Sequence, residues 1–416
     1  MDLLADLDAR GLIHDTTDRA ALEARLRRGA LTLYYGMDPS TDSLHTGNLI
    51  GLVMLRRFQE TGHHPIALAG GATGMVGDPG GRSEERNLLD EDTLRINVTA
   101  IKQQIAQVLG PEGEWTLVDN YEWTRDVPLL GFLRDVGKHV TVNQMLARES
   151  VRARIKSEHG ISFTEFSYML LQAHDYWWLH GHHGCELQIG GSDQWGNILS
   201  GVDLIRRREG ATVHALSWPL LTAADGTKLG ATTGARVWLD PHRTSPYELY
   251  QHFIQTDDRE VRQLLAWLTL LPVDEIDRIV TSHEAAPERR QAQRVLAREV
   301  TAIVHGDAAA QAAAAGTRAF TGTLEPDVLR GLETTMPTTE LAQADLPVTV
   351  VDLLVRTGLT PSKSAAARLI RQGGASVNDR AVDSAEAVVG PDDLVEGRWV
   401  LLGAGKRHRH LLVLAG

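Results

Sequence analysis

Two adjoining stretches decide the fold class: Leu31-Thr32-Leu33-Tyr34-Tyr35-Gly36, and the polar segment Asp38-Pro39-Ser40-Thr41-Asp42-Ser43-Leu44-His45-Thr46-Gly47-Asn48. The first is a short β-type run that ends at a glycine, and the second leads into a helix predicted from about residue 44 to residue 62. A second buried strand is predicted at 65–70, Pro-Ile-Ala-Leu-Ala-Gly. Strand, helix and strand joined by short loops indicate a βαβ unit and therefore a parallel sheet.

The same alternation continues along the chain. Strands are predicted at 115–119 and 187–189, and helices at 163–180 and from about residue 194. The pattern is helical throughout 245–315, residues 316–347 are richer in Thr, Pro and Asp, and clear patterning returns at 348. We therefore expect an α/β chain in this order: a Rossmann-like nucleotide-binding catalytic domain with a parallel sheet (1–240), an α-helical domain (241–320), a linker (321–347) and a small α/β domain (348–416).

Composition excludes several classes of protein. The chain has 416 residues, a size that suggests two or three domains, and a net charge of −12, which excludes a globally basic nucleic-acid coat. Its single cysteine, Cys185, excludes an internal disulfide framework and a multi-cysteine zinc site. The N-terminus lacks the pattern of a signal peptide, and no apolar run approaches the roughly 18 residues of a membrane helix. We expect a soluble, cytoplasmic protein with no membrane association.

Charge is unevenly distributed between the parts of the chain. Residues 348–416 contain nine basic and seven acidic residues, a net charge of +2, so the residues before them carry −14. Such asymmetry is typical of a small module with its own anionic partner, and equally of a mixed, solvated surface.

Two motifs carry chemistry. The segment 38–48 lies where a parallel strand passes into a helix N-terminus, where free N–H groups and the helix dipole favour phosphate. There His45 can donate to phosphate oxygens, and Gly47 lets a flat nucleotide ring approach the backbone. The second motif, Ala223-Ala224-Asp225-Gly226-Thr227-Lys228-Leu229-Gly230-Ala231-Thr232, places a lysine on a glycine-flanked loop able to close over a triphosphate. Taken singly, each also fits a capped helix or a solvated turn.

Together, and with the blocks between them, these motifs resemble the bacterial tyrosyl-tRNA synthetases, a family of class I aminoacyl-tRNA synthetases. The resemblance spans nearly the whole chain. Its C-terminal piece is similar to the S4-type RNA-binding module, through Pro361–Ile370 and Gly373–Asn378. The other blocks that carry it are Tyr34–Pro39, Gly70–Pro79, Phe132–Lys138, Gly160–Tyr168 and Gln188–Asn197.

The resemblance implies a tyrosine–tRNA ligase that uses ATP with Mg²⁺ and needs no structural metal. Tyrosine would be activated to tyrosyl-adenylate and then transferred to the 3′-terminal ribose of tRNA(Tyr). A site that hydrogen-bonds the substrate phenol rejects phenylalanine because its own polar groups would be left unpaired, a rule for which tyrosyl-tRNA synthetases are the standard example. The implied roles are Tyr34 and Asp175 for the phenol hydroxyl; Tyr168, Gln172 and Asp78 for the α-ammonium; and Gln194 for the carboxylate.

The spacing supports part of this set, because Tyr168, Gln172 and Asp175 fall on one face of the predicted helix. For ATP, the resemblance implies Asp38 and Ser40 beside the amino acid and phosphates, and Asp193 near the ribose. The expected ATP set is completed by His45, Gly47, Lys228 and the position of Ala231.

This chain departs from both family signatures for the ATP phosphates. The usual His-x-Gly-His is here His45-Thr46-Gly47-Asn48, and the usual second lysine of the mobile loop is here Ala231. Asn48 still donates a neutral hydrogen bond, whereas Ala231 donates none. With Asn48, the donors expected at the phosphates are His45, Lys228, Thr232, Arg82 and Arg86, and Arg236 is a candidate substitute for the missing cation.

The resemblance also implies partners. Residues from about 126 to 186 would form a homodimer interface, with apolar positions such as Phe132, Leu133, Phe163 and Phe166. One tRNA would bridge both subunits, contacting the helical region and the S4-like tail, where Lys363, Arg368 and Arg371 are the candidate RNA-binding residues.

Three alternatives stay open at this point. Tryptophanyl-tRNA synthetases share the architecture, although Tyr34, Asp175 and the S4-like tail favour tyrosine. An RNA-binding protein without activity is supported only by the departures at Asn48 and Ala231. An inhibitor-tolerant duplicate enzyme with slower activation is the third.

We expect Ala231→Lys to raise the rate of tyrosine-dependent ATP–pyrophosphate exchange. The substitution restores a charge-assisted hydrogen bond, which contributes roughly 1.5–3 kcal/mol, or about ten- to a hundred-fold in rate if it acts only in the transition state. Asn48→His, in the same assay, is expected to change the rate less. An unchanged rate for Ala231→Lys would show that Ala231 is not a lost catalytic contact.

Overall fold

The computed structural model describes residues 2–78, 89–111, 113–156, 160–221, 236–319, 326–405 and 408–415. The chain divides into two compact units, Met1–Leu239 with Arg262–Arg278, and Asp240–Val261 with Ile279–Gly416. In the part that the structure describes, no helix is both long and apolar enough to cross a membrane.

The first unit is built on a six-stranded sheet with the order β1-β6-β5-β2-β3-β4. Strands β2 to β6 are parallel to their neighbours, and only the edge strand β1 pairs antiparallel, with β6. The strands are β1 (Asp15–Thr16), β2 (Thr32–Met37), β3 (His64–Ala69), β4 (Thr116–Asp119), β5 (Cys185–Gly191) and β6 (His214–Trp218).

Helices cover the sheet and form the connections between its strands. The βαβ unit expected from the sequence is present as β2, α3 and β3. The helices up to residue 209 are α1 (Leu3–Ala9), α2 (Arg19–Leu26), α3 (Thr46–Glu60), α4 (Gly71–Val76), α5 (Glu91–Leu109), α6 (Tyr121–Thr124), α7 (Leu129–Asp135), α8 (Val142–Leu146), α9 (Glu149–Ile155), α10 (Phe163–His183) and α11 (Trp195–Glu209).

The strand order places a ligand site between β2 and β5. From β2 the chain proceeds outward to β3 and β4, then returns to the other side of β2 as β5. Helices on the two sides of this reversal diverge, and the crevice at the carboxyl ends of the strands is where open parallel sheets bind ligands. The polar segment 38–48 follows β2 directly and therefore enters this crevice.

The connection from β4 to β5 contains α6 to α10 and corresponds to the insertion expected at about 126–186. It has its own apolar core, in which Val136, Met145 and Val151 pack against Met169 and Leu170 of α10. A buried ion pair also ties α9 to the first turn of α10, with Arg154 Nη2 2.7 Å from Glu165 Oε2. The other elements of the insertion thus pack on α10, the helix that carries Tyr168, Gln172 and Asp175.

The region expected to be a purely helical domain is shared between the two units. It contains α12 (Pro246–Ile254), α13 (Asp258–Leu268), α14 (Val273–Glu284), α15 (Gln291–His305) and α16 (Asp307–Ala319). Residues 262–278 group with the first unit because buried arginines bind their backbone carbonyls. Arg57 donates to Ala266 and Thr269, and Arg10 donates to Ala266 (3.2 Å) and Leu271 (2.8 Å).

The C-terminal part of the second unit is an α/β fold with its own core. Its five-stranded sheet has the order β10-β9-β12-β13-β7, and its core includes Leu353, Leu354, Ile370, Leu402 and Leu412. The elements are α17 (Pro326–Leu332), β7 (Thr338–Leu341), β8 (Val348–Thr349), α18 (Val350–Arg356), α19 (Lys363–Arg371), β9 (Ala375–Val377), β10 (Arg380–Ala381), β11 (Val388–Val389), β12 (Trp399–Ala404) and β13 (His408–Leu414).

Much of the stretch expected to be a linker is ordered structure. Residues 326–332 form α17, and β7 pairs in parallel with β13. Glu333 accepts a hydrogen bond from Trp399 Nε1 at 2.5 Å and lies 3.1 Å from Arg398 Nε. The Thr- and Pro-rich composition concealed an edge strand, because strand pairing with a distant segment leaves no local signal.

Candidate active site

A cavity of about 380 Å³ lies at the carboxyl ends of β2 and β5. It brings together all the residues predicted for tyrosine and ATP that belong to the described part of the chain. These lining residues are Tyr34, Asp38, Ser40, His45, Gly47, Asn48, Asp78, Tyr168, Gln172, Asp175, Asp193 and Gln194.

Asp175 lies at the buried inner end of this cavity, with 2% of its surface exposed. One carboxylate oxygen accepts from Asn120 Nδ2 and the other from Trp123 Nε1, each at 2.9 Å. Burial raises the pKa of Asp175 to about 7; the two donated hydrogen bonds oppose the shift, and the nearby charges of Asp38 and Asp119 add to it. The two neutral donors fix the orientation of the carboxylate without neutralising it.

Tyr34 shares this inner end. Its ring centroid lies 5.4 Å from that of Tyr176 on α10, and its hydroxyl is buried without a hydrogen-bond partner among the residues described. Burial, followed by the charge of Asp175, raises the pKa of Tyr34 well above its ordinary value, so the phenol stays protonated. An unpaired buried polar atom costs roughly 1–3 kcal/mol, which a hydrogen bond from a ligand would recover.

Two side-chain amide oxygens in the cavity wall resemble the Tyr34 hydroxyl, because they too are buried without a partner among the described residues. Gln172 Oε1 and Gln188 Oε1 are buried, and the described residues offer neither of them a hydrogen-bond donor. Gln172 lies on α10 and Gln188 on β5, and both line the cavity. These acceptors suit a cationic or N–H-bearing ligand group.

Two further carboxylates of the predicted set accept hydrogen bonds from neutral side chains. Asp38 accepts from Tyr168 Oη at 3.1 Å and from Thr73 Oγ1 at 2.8 Å. Asp78 accepts from Gln194 Nε2 at 2.5 Å. Asp78, expected at the α-ammonium, thus touches Gln194, expected at the carboxylate, so the cavity can hold the two charged groups of an amino acid side by side.

The first turn of α3 forms the outer part of the cavity. His45 caps the helix, with its Nδ1 accepting from the Gly47 N–H at 3.0 Å, while Asn48 Oδ1 accepts from the His45 N–H at 3.1 Å. Because Nδ1 is an acceptor, the neutral ring carries its proton on Nε2. The helix start therefore combines an N–H donor of His45 with the positive end of a 15-residue helix.

Five predicted residues lie outside the described residues, namely Arg82, Arg86, Lys228, Ala231 and Thr232. Both described neighbours of the segment 222–235, Leu221 and Arg236, line the cavity. The chain after this segment is tied to the signature by hydrogen bonds from Thr46 N to Val237 O and from Leu239 N to Leu44 O. Among the lining residues that the structure describes, Arg236 alone bears a lysine or arginine charge.

Sequence reasoning missed Asn120 and Trp123, the two donors to Asp175, and Thr73, which supports Asp38. Asn120 directly follows β4, and polar residues at the carboxyl end of a parallel strand are the signal that would have indicated it. Trp123 had no such signal, since its contact depends on α6 meeting α10. The candidate RNA-binding residues Lys363, Arg368 and Arg371 lie exposed on α19, in the other unit.

Known proteins match this chain over nearly its whole length. Residues 26–322 match the family of class I tRNA synthetases (W and Y), and residues 327–412 match the tyrosine–tRNA ligase SYY-like C-terminal domain. The tyrosine–tRNA ligase of Opitutus terrae is 51% identical over 98% of each chain, and that of Roseiflexus castenholzii 47% identical over 99% of each. The chain belongs to the tyrosine–tRNA ligase family.

Solved structures agree with this assignment. A C-terminally truncated mitochondrial tyrosyl-tRNA synthetase from Aspergillus nidulans is 33% identical, with a TM-score of 0.68 over 76% of this chain and 93% of its own. A tryptophanyl-tRNA synthetase from Plasmodium falciparum, 14% identical with a TM-score of 0.55, shares the fold alone.

These matches confirm the function expected from the sequence, an ATP-dependent enzyme of protein biosynthesis that ligates tyrosine to tRNA. Nothing in them favours a repurposed RNA-binding protein or a paralogue with reduced activation.

The raised pKa of Asp175 predicts a particular pH dependence of stability. In the unfolded chain this carboxyl titrates near 4, so between about pH 4 and pH 7 the folded protein holds a proton that the unfolded chain has released. Stability therefore falls as pH rises through this window. The side chain at 175 cannot titrate in Asp175→Asn. The free energy of unfolding of this variant minus that of the wild type is therefore expected to rise by about 2–3 kcal/mol between pH 5 and pH 8.

The measurement is the melting temperature of both proteins across that range. The matched control is Asp126→Asn, which changes an exposed carboxylate and should keep a constant offset from the wild type. A constant offset for Asp175→Asn as well would contradict the shifted pKa.

Proposed function

We propose that the cavity between β2 and β5 is the active site in which tyrosine is activated by ATP. One observation carries this proposal. The Asp175 carboxylate and the buried hydroxyl of Tyr34, which has no hydrogen-bond partner among the described residues, both lie at the inner end of the cavity. A substrate phenol there can donate to Asp175 and accept from Tyr34, so one hydroxyl group on the ligand satisfies both side chains.

The backbone groups of the substrate would lie further out. Asp78, Tyr168 and the unpaired oxygen of Gln172 would surround the α-ammonium, and Gln194 would orient the carboxylate. Gln188 would add another acceptor near the ammonium. The substrate would thus lie with its phenol inward and its carboxylate outward. In this orientation its nucleophilic carboxylate oxygen would point at the first turn of α3.

The nucleotide would occupy the outer part of the cavity. Ser40, Gly47 and the N-terminus of α3 would receive the phosphates, with Asp38 beside them and Asp193 near the ribose. His45 would donate through Nε2, and Arg236 would contribute the charge that Ala231 lacks. From outside the described residues, Lys228, Thr232, Arg82 and Arg86 would complete the donor set.

Mg²⁺ would enter with ATP. Magnesium in nucleotide sites is commonly held by one or two carboxylates together with phosphate oxygens, where it neutralises phosphate charge. Within the described ranges no three His, Cys, Asp or Glu side chains converge as a metal site, but Asp38 and Asp193 line the cavity as single carboxylates. These residues fit an ion that the nucleotide brings with it.

The chemistry then requires positioning and charge stabilisation from this chain. The tyrosine carboxylate oxygen attacks the α-phosphorus, the bond to the bridging oxygen breaks, and pyrophosphate leaves with the electron pair. In the second step a ribose hydroxyl of the tRNA attacks the tyrosyl carbonyl carbon, and AMP leaves. Donors such as His45 stabilise charge that builds on the phosphate oxygens.

We propose that the tRNA is held by the second unit. Lys363, Arg368 and Arg371 are exposed on α19, whose buried residues are Ala366 and Ile370. Lys363 lies 2.6 Å from Asp352, so the ion pair must exchange for a phosphate. The net positive charge of 348–416 supports an RNA-facing module, and the helical region would contact the anticodon arm and long variable arm.

A homodimer is supported by where apolar side chains are exposed. Of nine large exposed hydrophobic side chains among the residues described, seven lie within 129–163, that is, in the insertion; the set includes Leu130, 79% exposed, and Phe163, 78% exposed. A concentration of this kind typically marks a protein interface. We propose that α7, α8 and the start of α10 contact the same elements of a second copy of the chain. One tRNA would then bridge both subunits of this dimer. The dimer would act in the cytoplasm.

Tyr34→Phe tests the active-site assignment. Removing the hydroxyl should lower the preference for tyrosine over phenylalanine in ATP–pyrophosphate exchange by roughly two- to tenfold, the contribution of one neutral hydrogen bond. Tyr121→Phe, away from the cavity, is the control. Wild-type protein that shows no tyrosine-dependent exchange, or an unchanged preference in Tyr34→Phe, would refute the assignment.

Leu130→Asp tests the dimer. A charge in the middle of a buried apolar interface costs more than the contact gains, so the variant should sediment as a monomer at micromolar concentration while the wild type sediments as a dimer. Ile96→Asp, at a similarly exposed position outside the insertion (64%), should leave the wild-type mass unchanged. A dimeric Leu130→Asp would place the interface elsewhere.

A further inference from the structure

The two side chains that donate to Asp175 are held in place in different ways. Asn120, which binds one carboxylate oxygen, is itself fixed by two further hydrogen bonds, one from the Ala72 N–H and one to Thr73 Oγ1. Trp123, which binds the other oxygen, has the indole N–H as its single polar side-chain group. No second polar contact can therefore set the angle of the Trp123 ring, so that angle must come from the rings packed against it.

The ring stacked on Trp123 belongs to Trp178, which follows Asp175 by three residues and shares its face of α10. The two indole planes are nearly parallel, with an interplanar angle of 10° and ring centroids 4.1 Å apart. Trp123 is buried and Trp178 half-buried, and neither side chain lines the cavity. Trp178 therefore reaches the tyrosine site through the Trp123 ring.

His182 covers the other face of Trp178. Its ring comes from the next turn of α10 and is also stacked at an interplanar angle of 10°, with a centroid distance of 4.1 Å. Two rings cannot both stack this closely on one face of an indole without overlapping, so Trp123 and His182 lie on opposite faces. The imidazole is fixed in turn, because its Nδ1 donates to the Trp178 carbonyl at 2.8 Å. The three rings form one stack that leads from the exposed His182 to a donor of Asp175.

We propose that Trp178 is a positioning residue for tyrosine recognition, which acts by fixing the plane of the Trp123 ring. The indole N–H lies in that plane, and a hydrogen bond weakens steeply as its angle departs from linear. A tilted Trp123 ring would therefore release one oxygen of Asp175 and leave the carboxylate free to rotate away from the substrate phenol. The inference rests on the proposed function, in which Asp175 accepts from that phenol.

Trp178→Leu tests the inference in tyrosine-dependent pyrophosphate exchange. KM for tyrosine should rise by roughly two- to tenfold, the contribution of one neutral hydrogen bond. The preference for tyrosine over phenylalanine should fall by a similar factor, because phenylalanine has no hydroxyl for Asp175 to bind. kcat should keep its wild-type value, since the contact to the phenol is the same in the ground state and the transition state. Trp178→Phe, which keeps an aromatic face, should lie closer to the wild type.

A double-mutant cycle shows whether Trp178 acts through the Trp123 N–H. Trp123→Phe keeps a ring in the stack but removes the donor, so it should itself raise KM for tyrosine. In that background Trp178→Leu should raise KM no further, because the hydrogen bond that it affects is already lost. If Trp178→Leu melts near the assay temperature, Trp178→Phe takes its place in the cycle, with a smaller expected rise.

The matched control is Trp177→Leu, a change at the adjacent tryptophan of α10. The Arg208 guanidinium lies over the Trp177 ring, 3.9 Å from its centroid, and the Trp177 N–H donates to Glu209 at 2.8 Å. The control thus removes an equal ring from the same helix and should leave KM for tyrosine unchanged. Melting temperatures of both variants separate a loss of stability from a loss of positioning.

The outcomes divide clearly. A raised tyrosine KM in Trp178→Leu that vanishes in the Trp123→Phe background supports the inference. A wild-type KM in folded Trp178→Leu, increases that multiply in the double variant, or an equal rise in Trp177→Leu would overturn it while leaving the active site in place. Absence of tyrosine-dependent exchange in the wild type would instead refute the proposed function on which it rests.

Discussion

The buried carboxylate of Asp175 is the constraint around which the first unit is organised. A charge that has lost its water must be compensated, and here the compensation is two neutral N–H donors, one on each oxygen. Those donors come from Asn120 and Trp123, beyond β4, whereas Asp175 belongs to α10, some fifty residues later. The sheet order is what brings them together, so the inner end of the cavity depends on the whole βα framework.

The same constraint explains why the side chains near Asp175 are polar, although some of their polar atoms lack a hydrogen-bond partner. Asn120 uses all its polar groups internally, accepting from the Ala72 N–H and donating to Thr73 and Asp175. Tyr34, Gln172 and Gln188, by contrast, each keep a buried polar atom that no described residue satisfies. Asn120, which supports Asp175, is therefore fully engaged, whereas three residues that line the cavity each keep an unsatisfied polar atom. This division is expected of a binding site that is rigid before its ligand arrives.

Local patterns in the sequence were sufficient for the features that local physics controls. The strand 32–37, the helix start at His45 and the shared face of Tyr168, Gln172 and Asp175 all follow from short-range spacing. Trp123 and β7 were missed because each depends on a partner far away in the chain: α10 for Trp123, and β13 for β7. Likewise, motif comparison showed that Asn48 departs from the family signature, but only the structure showed that its Oδ1 accepts from the His45 N–H.

The binding of residues 262–278 by Arg10 and Arg57 has a consequence for how the protein can be divided. The backbone passes from one compact unit to the other after residues 239, 261 and 278, so the first unit is not formed by one contiguous segment of the chain. A truncation near residue 240 would remove the carbonyls to which these two buried guanidinium groups donate, and would leave them their ion pairs with Asp6. Natural or engineered recombination that exchanges the C-terminal part must therefore preserve residues 262–278, because the compact units of the fold and the segments of the sequence do not coincide.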